Sequence, residues 1–196
     1  MARTLYHVED CPQCEKIRLA LALERLEYES VTVDPSHGEM VREISGQEEL
    51  PVFVDEDGTV FHDTNRILQR LAGRPGSKLL PDGRRDQMLT RVLVDRADSI
   101  LAPLLYSIVR NEDPEGNSLR EDDLLVLERR LEEELAVLEG LLERGPYLFG
   151  DHPTLADICT HAFLSQLPRF GGRPLPDSFL RVSSWYKRVK HAAAAG

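Results

Sequence analysis

Cysteine, positive charge and long apolar runs are all scarce in this sequence. Only three of its 196 residues are cysteine, namely Cys11, Cys14 and Cys159. Three thiols cannot build the paired framework of a small secreted domain, so a reducing compartment is expected. Met1 to His7 runs straight into a strand-like segment without a long apolar stretch, and the apolar runs elsewhere are a few residues long. That pattern argues against a secretion signal or a membrane span and points to the cytoplasm. Lys and Arg number 24 against 34 Asp and Glu, a formal charge of -10, and residues 1–75 hold 15 acidic but only 8 basic side chains. Such a surface repels phosphate backbones, so no nucleic-acid partner is expected. Internal repeats are missing, and the one low-complexity tract, Ala192 to Ala195, reads as a frayed tail. What is present is enough apolar side chain, 41% of residues, to bury the core of one large domain or two small ones.

Residues 3–8 read as a strand, followed at once by a helix beginning at Cys11 with Pro12 in its first turn, where proline is tolerated. From Ile17 to Leu23 that helix is apolar all round except for Arg18, the pattern of a helix covered on two sides. Tyr28 to Val33 alternates like a strand, and His37 to Ile44 reads as a short helix. Leu50 to Asp55 and Thr59 to His62 form two strands around the hairpin dipeptide Asp57-Gly58. Asp63-Thr64 opens a short helix that carries Ile67, Leu68 and Leu71 and ends at Gly73. The order βαβ, short helix, ββα is that of a thioredoxin-like domain. Pro75, Gly76, Pro81 and Gly83 mark a linker, and beyond it only helices follow. One stripe runs through Leu89, Leu93, Ile100, Leu104 and Ile108, with a kink expected at Pro103. A second runs through Leu124, Leu131, Leu135, Leu138 and Leu142, and the charges from Glu128 to Glu134 beside it read as a solvated face. Further helices are expected from Thr154 and over Phe179 to Val189.

Thiol chemistry needs the anion, and a free cysteine is mostly protonated at neutral pH. A cysteine at a helix start meets unpaired N–H groups and the positive end of the helix dipole, and Cys11 occupies that position. Cys14, one turn on, is spaced to attack a mixed disulfide formed at Cys11. Glu9, Asp10 and Glu15 push the other way. Two other readings stand beside this one. The pair is half of a zinc site lacking its second half, since Cys159 is the one cysteine left, or both thiols are small structural side chains. Cys159 itself lies in an apolar helix and reads as a buried inert thiol.

Pro51 interrupts a strand-like run, which implies a sheet edge, a bend or a cis bond, and leaves Leu50 able to pair with an extended peptide. Asp63 and Thr64 read as helix caps. The same helix start suits a carboxylate, and Asp63 suits an ammonium, so together they fit a small zwitterionic peptide bearing a thiol.

These residues resemble the glutathione transferase superfamily with a glutaredoxin-like active site. Cys11-Pro12-Gln13-Cys14 matches Cys-Pro-x-Cys, Leu50-Pro51-Val52 is similar to the cis-proline strand, and Asp63-Thr64 stands where an acidic residue and a serine hold the γ-glutamyl end. Gly150 to Asp157 resembles the capping-box signature of the helical domain, and Trp185 to Val189 its last long helix. The resemblance implies a thioredoxin-like glutathione-binding domain over 1–75, a linker over 76–83 and an all-helical bundle over 84–196 that packs on the first helix. It implies glutathione as co-substrate and a homodimer; no metal is expected, because the chain lacks a second ligand pair. Leu50, Pro51, Asp63 and Thr64 would position the tripeptide with its sulfur facing Cys11. His37 stands about where a basic residue often meets the glycine carboxylate, and no clear Lys or Arg takes that place. The expected activity is thiol transfer or reduction, with Cys11 as nucleophile, Cys14 as resolving thiol and a small molecule or disulfide as second substrate. The alternatives are conjugation of glutathione to a small hydrophobic electrophile, with Tyr6 as a hydroxyl and Tyr106 as a wall, and a noncatalytic binding or scaffold protein.

Overall fold

The computed structural model describes residues 2–34, 38–112, 116–170 and 174–194. It divides into two compact units, one built on residues 1–79 and the other on residues 80–192.

In the first unit, β1 (Thr4–His7) leads through a short loop to α1 (Pro12–Leu23), and β2 (Glu29–Thr32) returns parallel to β1. A parallel pair needs a crossover, and α1 supplies it. After α2 (Gly38–Ser45) come β3 (Val52–Val54) and β4 (Val60–Phe61), then α3 (Thr64–Ala72). The sheet order is β2-β1-β3-β4, with β3 antiparallel to both β1 and β4. Strands β3 and β4 are shorter than their apolar pattern predicts because the turn claims the residues between them. Gly58 takes φ +83°, the Thr59 amide donates to Asp57 at 2.9 Å, and the Asp55 amide closes the turn on the Thr59 carbonyl at 3.0 Å while its side chain is buried. Burial opposes a charge on Asp55, but Arg70 at 2.7 Å and Arg3 at 3.1 Å hold its carboxyl below the usual range. Pro51 does not mark a sheet edge, since β3 is an interior strand; Leu50–Pro51 is a cis peptide just ahead of it. Gly73 ends α3 in the right-handed region, so no left-handed cap explains it; a β-carbon there would lie 3.2 Å from the Gln69 carbonyl.

The second unit is helical: α4 (Arg84–Arg96), α5 (Ala102–Arg110), α6 (Glu121–Leu141), α7 (Leu155–Leu164), α8 (Gln166–Phe170) and α9 (Leu180–Ala194). The kink expected at Pro103 takes the form of a π turn over Ala97–Leu101, immediately before α5. Proline cannot donate to the carbonyl one turn back, and a widened turn absorbs the misfit. Leu104 and Ile108 of the first stripe are buried, whereas Leu89 is exposed. Glu134 departs from the solvated face expected of its neighbours, clasping Arg96 through two bonds of 2.7 and 2.8 Å. Every residue of α7 is buried, which makes it the core of this unit. Its start is the capping box expected at Thr154. Asp157 accepts from the Thr154 amide (2.8 Å) and hydroxyl (2.9 Å), the Leu148 amide (2.9 Å) and the Trp185 indole N–H (2.8 Å). The expected frayed tail is helical as far as Ala194, since α9 continues through it, and α8 was not foreseen. No helix among the described residues is long and apolar enough to cross a membrane.

Candidate active site

Topology brings the candidate residues to one end of the sheet. Strand β1 ends toward the Cys11 loop, and its Tyr6 stands opposite Val52 of antiparallel β3, which puts Pro51 at that same end. Phe53 stands opposite Phe61, so β4 also finishes there and delivers Asp63 and Thr64 as α3 begins. Three loops distant in sequence therefore share one rim: residues 8–11, 50–51 and 62–64.

Cys11 is the N-cap of α1, with extended backbone (φ -103°, ψ 120°), and its sulfur accepts from the Cys14 amide at 3.4 Å. Pro12 begins the helix without an N–H to satisfy, so the first orphan amides belong to Gln13 and Cys14. Cys11 is partly exposed and Cys14 is fully buried; neither of them, nor the buried Cys159 on α7, is in a disulfide. The Cys11 thiol is lowered from 9.0 to about 6. The Cys14 thiol donating to its sulfur contributes most; burial opposes, and the Cys14 and Gln13 amides and the Arg18 charge add to the lowering. Cys14 moves the opposite way, raised first by its bond to Cys11, then by burial and by the Cys11 charge. The two thiols thus divide into an anion at neutral pH and a proton donor beside it. Glu9, Asp10 and Glu15 do not prevent this division.

The segment before Pro51 is held by its own side chains. The Ser45 hydroxyl donates to the Val41 and Gln47 carbonyls at 2.8 and 2.9 Å, and the Gln47 amide group donates to the Glu49 carbonyl at 2.8 Å. Arg42 pairs with Glu48. Leu50 packs on the Val33, Val41 and Val52 cluster, and Pro51 is buried. Asp63 caps α3, accepting from the Arg66 amide at 2.8 Å, and is exposed; Thr64 is the first helical residue.

Tyr6 is partly buried and packs against the same valine cluster as Leu50. Tyr106 is 51% exposed with the Arg110 guanidinium 4.6 Å from its ring centre, so it is not ordinary core packing. His37 lies outside the described residues. Among the described residues no group of three or more His, Cys, Asp or Glu side chains is gathered as a metal site. Sequence reasoning passed over the side chains behind the thiol loop: Arg18 donates to the Glu9 carbonyl at 2.7 Å, and His7 meets Ser30 at 2.7 Å. The available signal was Arg18 itself, the one charge in an otherwise apolar stretch of α1.

The chain is similar to several known proteins over most of its length. It is 28% identical to FtsZ-localized protein A of Caulobacter vibrioides, covering 96% of this chain and 86% of that protein. It is 26% identical to a glutathione S-transferase of Triticum aestivum, covering 74% of this chain and 68% of the other. A solved glutathione S-transferase from Rhodospirillum rubrum F11 superposes with a TM-score of 0.81 at 27% identity, covering 96% of this chain and 87% of that one. Residues 5–79 match the family model for the glutathione S-transferase N-terminal domain, and residues 97–192 match that for the C-terminal domain. With both halves matched in order, and the thioredoxin-like and helical units folded accordingly, the chain belongs to the glutathione S-transferase superfamily.

Proposed function

We propose that the chain is a glutathione-dependent thiol transferase or reductase in which Cys11 is the nucleophile and Cys14 the resolving thiol. The observation that carries this reading is the pairing of a partly exposed thiol lowered to about 6 with a buried thiol one turn away. At neutral pH the Cys11 thiolate attacks the glutathionyl sulfur of a mixed disulfide R–S–S–G. A new sulfur–sulfur bond forms between Cys11 and the glutathionyl sulfur, the RS–SG disulfide bond breaks, and R–S⁻ leaves to take a proton from water. A second glutathione thiolate then releases oxidised glutathione and regenerates the Cys11 anion. Alternatively, Cys14 attacks Cys11, expels glutathione and leaves an internal disulfide for reduction by two further glutathione molecules.

Cys14 is protonated while Cys11 is an anion because it donates to that anion and feels its charge. Mixed-disulfide formation consumes the anion and removes both causes, so the resolving thiol becomes easier to ionise when it is needed. Leu50 and Pro51 would meet the extended backbone of glutathione, while Thr64 and the orphan amides of α3 would take its γ-glutamyl carboxylate and Asp63 its ammonium. Positioning then dominates the rate. Conjugation to an electrophile is less well supported, since Tyr6 lies within β1 opposite Val52, not in the loop that follows the strand, and packs on the valine cluster.

A binding role is favoured by one observation, the likeness over 96% of this chain to FtsZ-localized protein A. Intact mass and turnover separate the readings. Wild-type protein, Cys11→Ser and Cys14→Ser are incubated with glutathione and a glutathionyl peptide. Turnover and an adduct that need Cys11, with the adduct trapped in Cys14→Ser, support thiol transfer. Absence of both in the wild type removes that reading, and a conjugation assay then decides between the conjugating reading and binding.

A further inference from the structure

Cys11, Cys14 and Arg18 are spaced 0, 3 and 7 along α1 and its cap, so they share one helix face. Helical side chains lean toward the N-terminus, and the long arm of Arg18 follows that rule back to the loop that carries the nucleophile. One guanidinium nitrogen donates to the Glu9 carbonyl at 2.7 Å, and another lies 3.5 Å from His7 Nδ1, a long contact. The other ring nitrogen of His7, Nε2, meets the Ser30 hydroxyl at 2.7 Å. His7 is 3% exposed, and burial favours its neutral form. A line of contacts thus runs from Ser30 on β2 through His7 on β1 to Arg18 on α1 and back to the loop before Cys11.

We propose that Arg18 is a positioning residue for the Cys11 nucleophile, tying the Val8–Asp10 loop to α1 and supplying the cation in whose field the thiolate is held. The proposal rests on the reading of Cys11 as nucleophile.

Glu9 and Asp10 lie within the loop, Glu15 and Lys16 near the start of α1, and Asp63 and Arg66 at the start of α3, which packs against α1; Arg70 of α3 turns instead to Asp55 and Asp57. His7, Cys14 and, ahead of β2, Tyr28 are the titrating neutral groups. Arg18 is the charged side chain that acts on both Cys11 and Cys14 in the direction of the anion. Its fork engages two partners at once, of which a lysine keeps one together with the positive charge that the midpoint reads.

The test is the pH dependence of iodoacetamide alkylation at Cys11, read by peptide mass on the full chain for wild type, Arg18→Gln and Arg18→Lys, with thermal melts alongside. The expected wild-type midpoint is about 6. Arg18→Gln moves it up by about half a unit to one unit, while Arg18→Lys keeps it near the wild-type value. A folded Arg18→Gln with the wild-type midpoint overturns the proposal, as does an Arg18→Lys that shifts as far as Arg18→Gln. Should Arg18→Gln fail to fold, Arg18→Lys decides: a retained midpoint supports the proposal, and a midpoint in the ordinary thiol range sinks it. Alkylation needs no glutathione, so a chain without thiol-transfer turnover still reports on Arg18. Conversely, turnover that needs Cys11, together with an unmoved midpoint in Arg18→Gln, defeats Arg18 and leaves the thiol chemistry standing.

Discussion

Helices α1 and α7 both begin at an N-cap residue that faces orphan amides, and they treat those amides in opposite ways. At α7 the cap is closed. Asp157 gathers four donors at 2.8 to 2.9 Å inside the core; burial raises its carboxyl, and the donors offset that rise only in part. At α1 the cap is a single 3.4 Å contact from an amide to sulfur, at a partly exposed residue. Its donors are left to stabilise a thiolate and whatever bonds to it. The same backbone feature is therefore a staple in one unit and the proposed reactive site in the other. The side chain offered at the cap, and its exposure, make the difference.

That contrast can be broken by experiment. The largest effect is expected from Cys11→Ser, which should lower thiol-transfer turnover by about a thousandfold or more while stability holds, because serine is itself a good cap. Alkylation of wild-type Cys11 should rise with pH through about 6 and level off near neutrality, because a depressed thiol is already ionised there. A rate still climbing at pH 8 would show an ordinary thiol and erase the distinction between the two caps. Asp157→Ala strands four buried donors and should cost about 3–5 kcal/mol in urea unfolding. Thr154→Ala should cost about 1–2 kcal/mol, with Thr154→Ser recovering most of it. Asp63→Ala should cost about 1 kcal/mol of stability through its lost cap bond. Asp63→Asn keeps that cap yet should raise the KM for glutathione, since an amide holds an ammonium less well than a carboxylate does.

Much of this was legible along the chain. Cys11-Pro12, Asp63-Thr64 and Thr154 to Asp157 announced three helix starts because caps act within a few residues, and Asp57-Gly58 announced its turn for the same reason. Other features stayed hidden. Pro51 left an edge, a bend or a cis bond open, because the place of β3 between β1 and β4 depends on strands far apart in sequence. Glu134 read as solvated until Arg96, on another helix, arrived beside it. The π turn before Pro103 reflects how a proline misfit is absorbed, which the proline alone does not specify.

Local sequence determined the helix starts, the turn, the thiol spacing and the change from a mixed to an all-helical pattern, since each depends on bonds between near neighbours. Tertiary structure decided which ends of the strands meet, and so whether Cys11, Pro51 and Thr64 share a rim. It also decided how deeply each thiol is buried and which charge stands behind it. Those are properties of through-space distance and desolvation, and they arise only when segments separated by tens of residues are packed together.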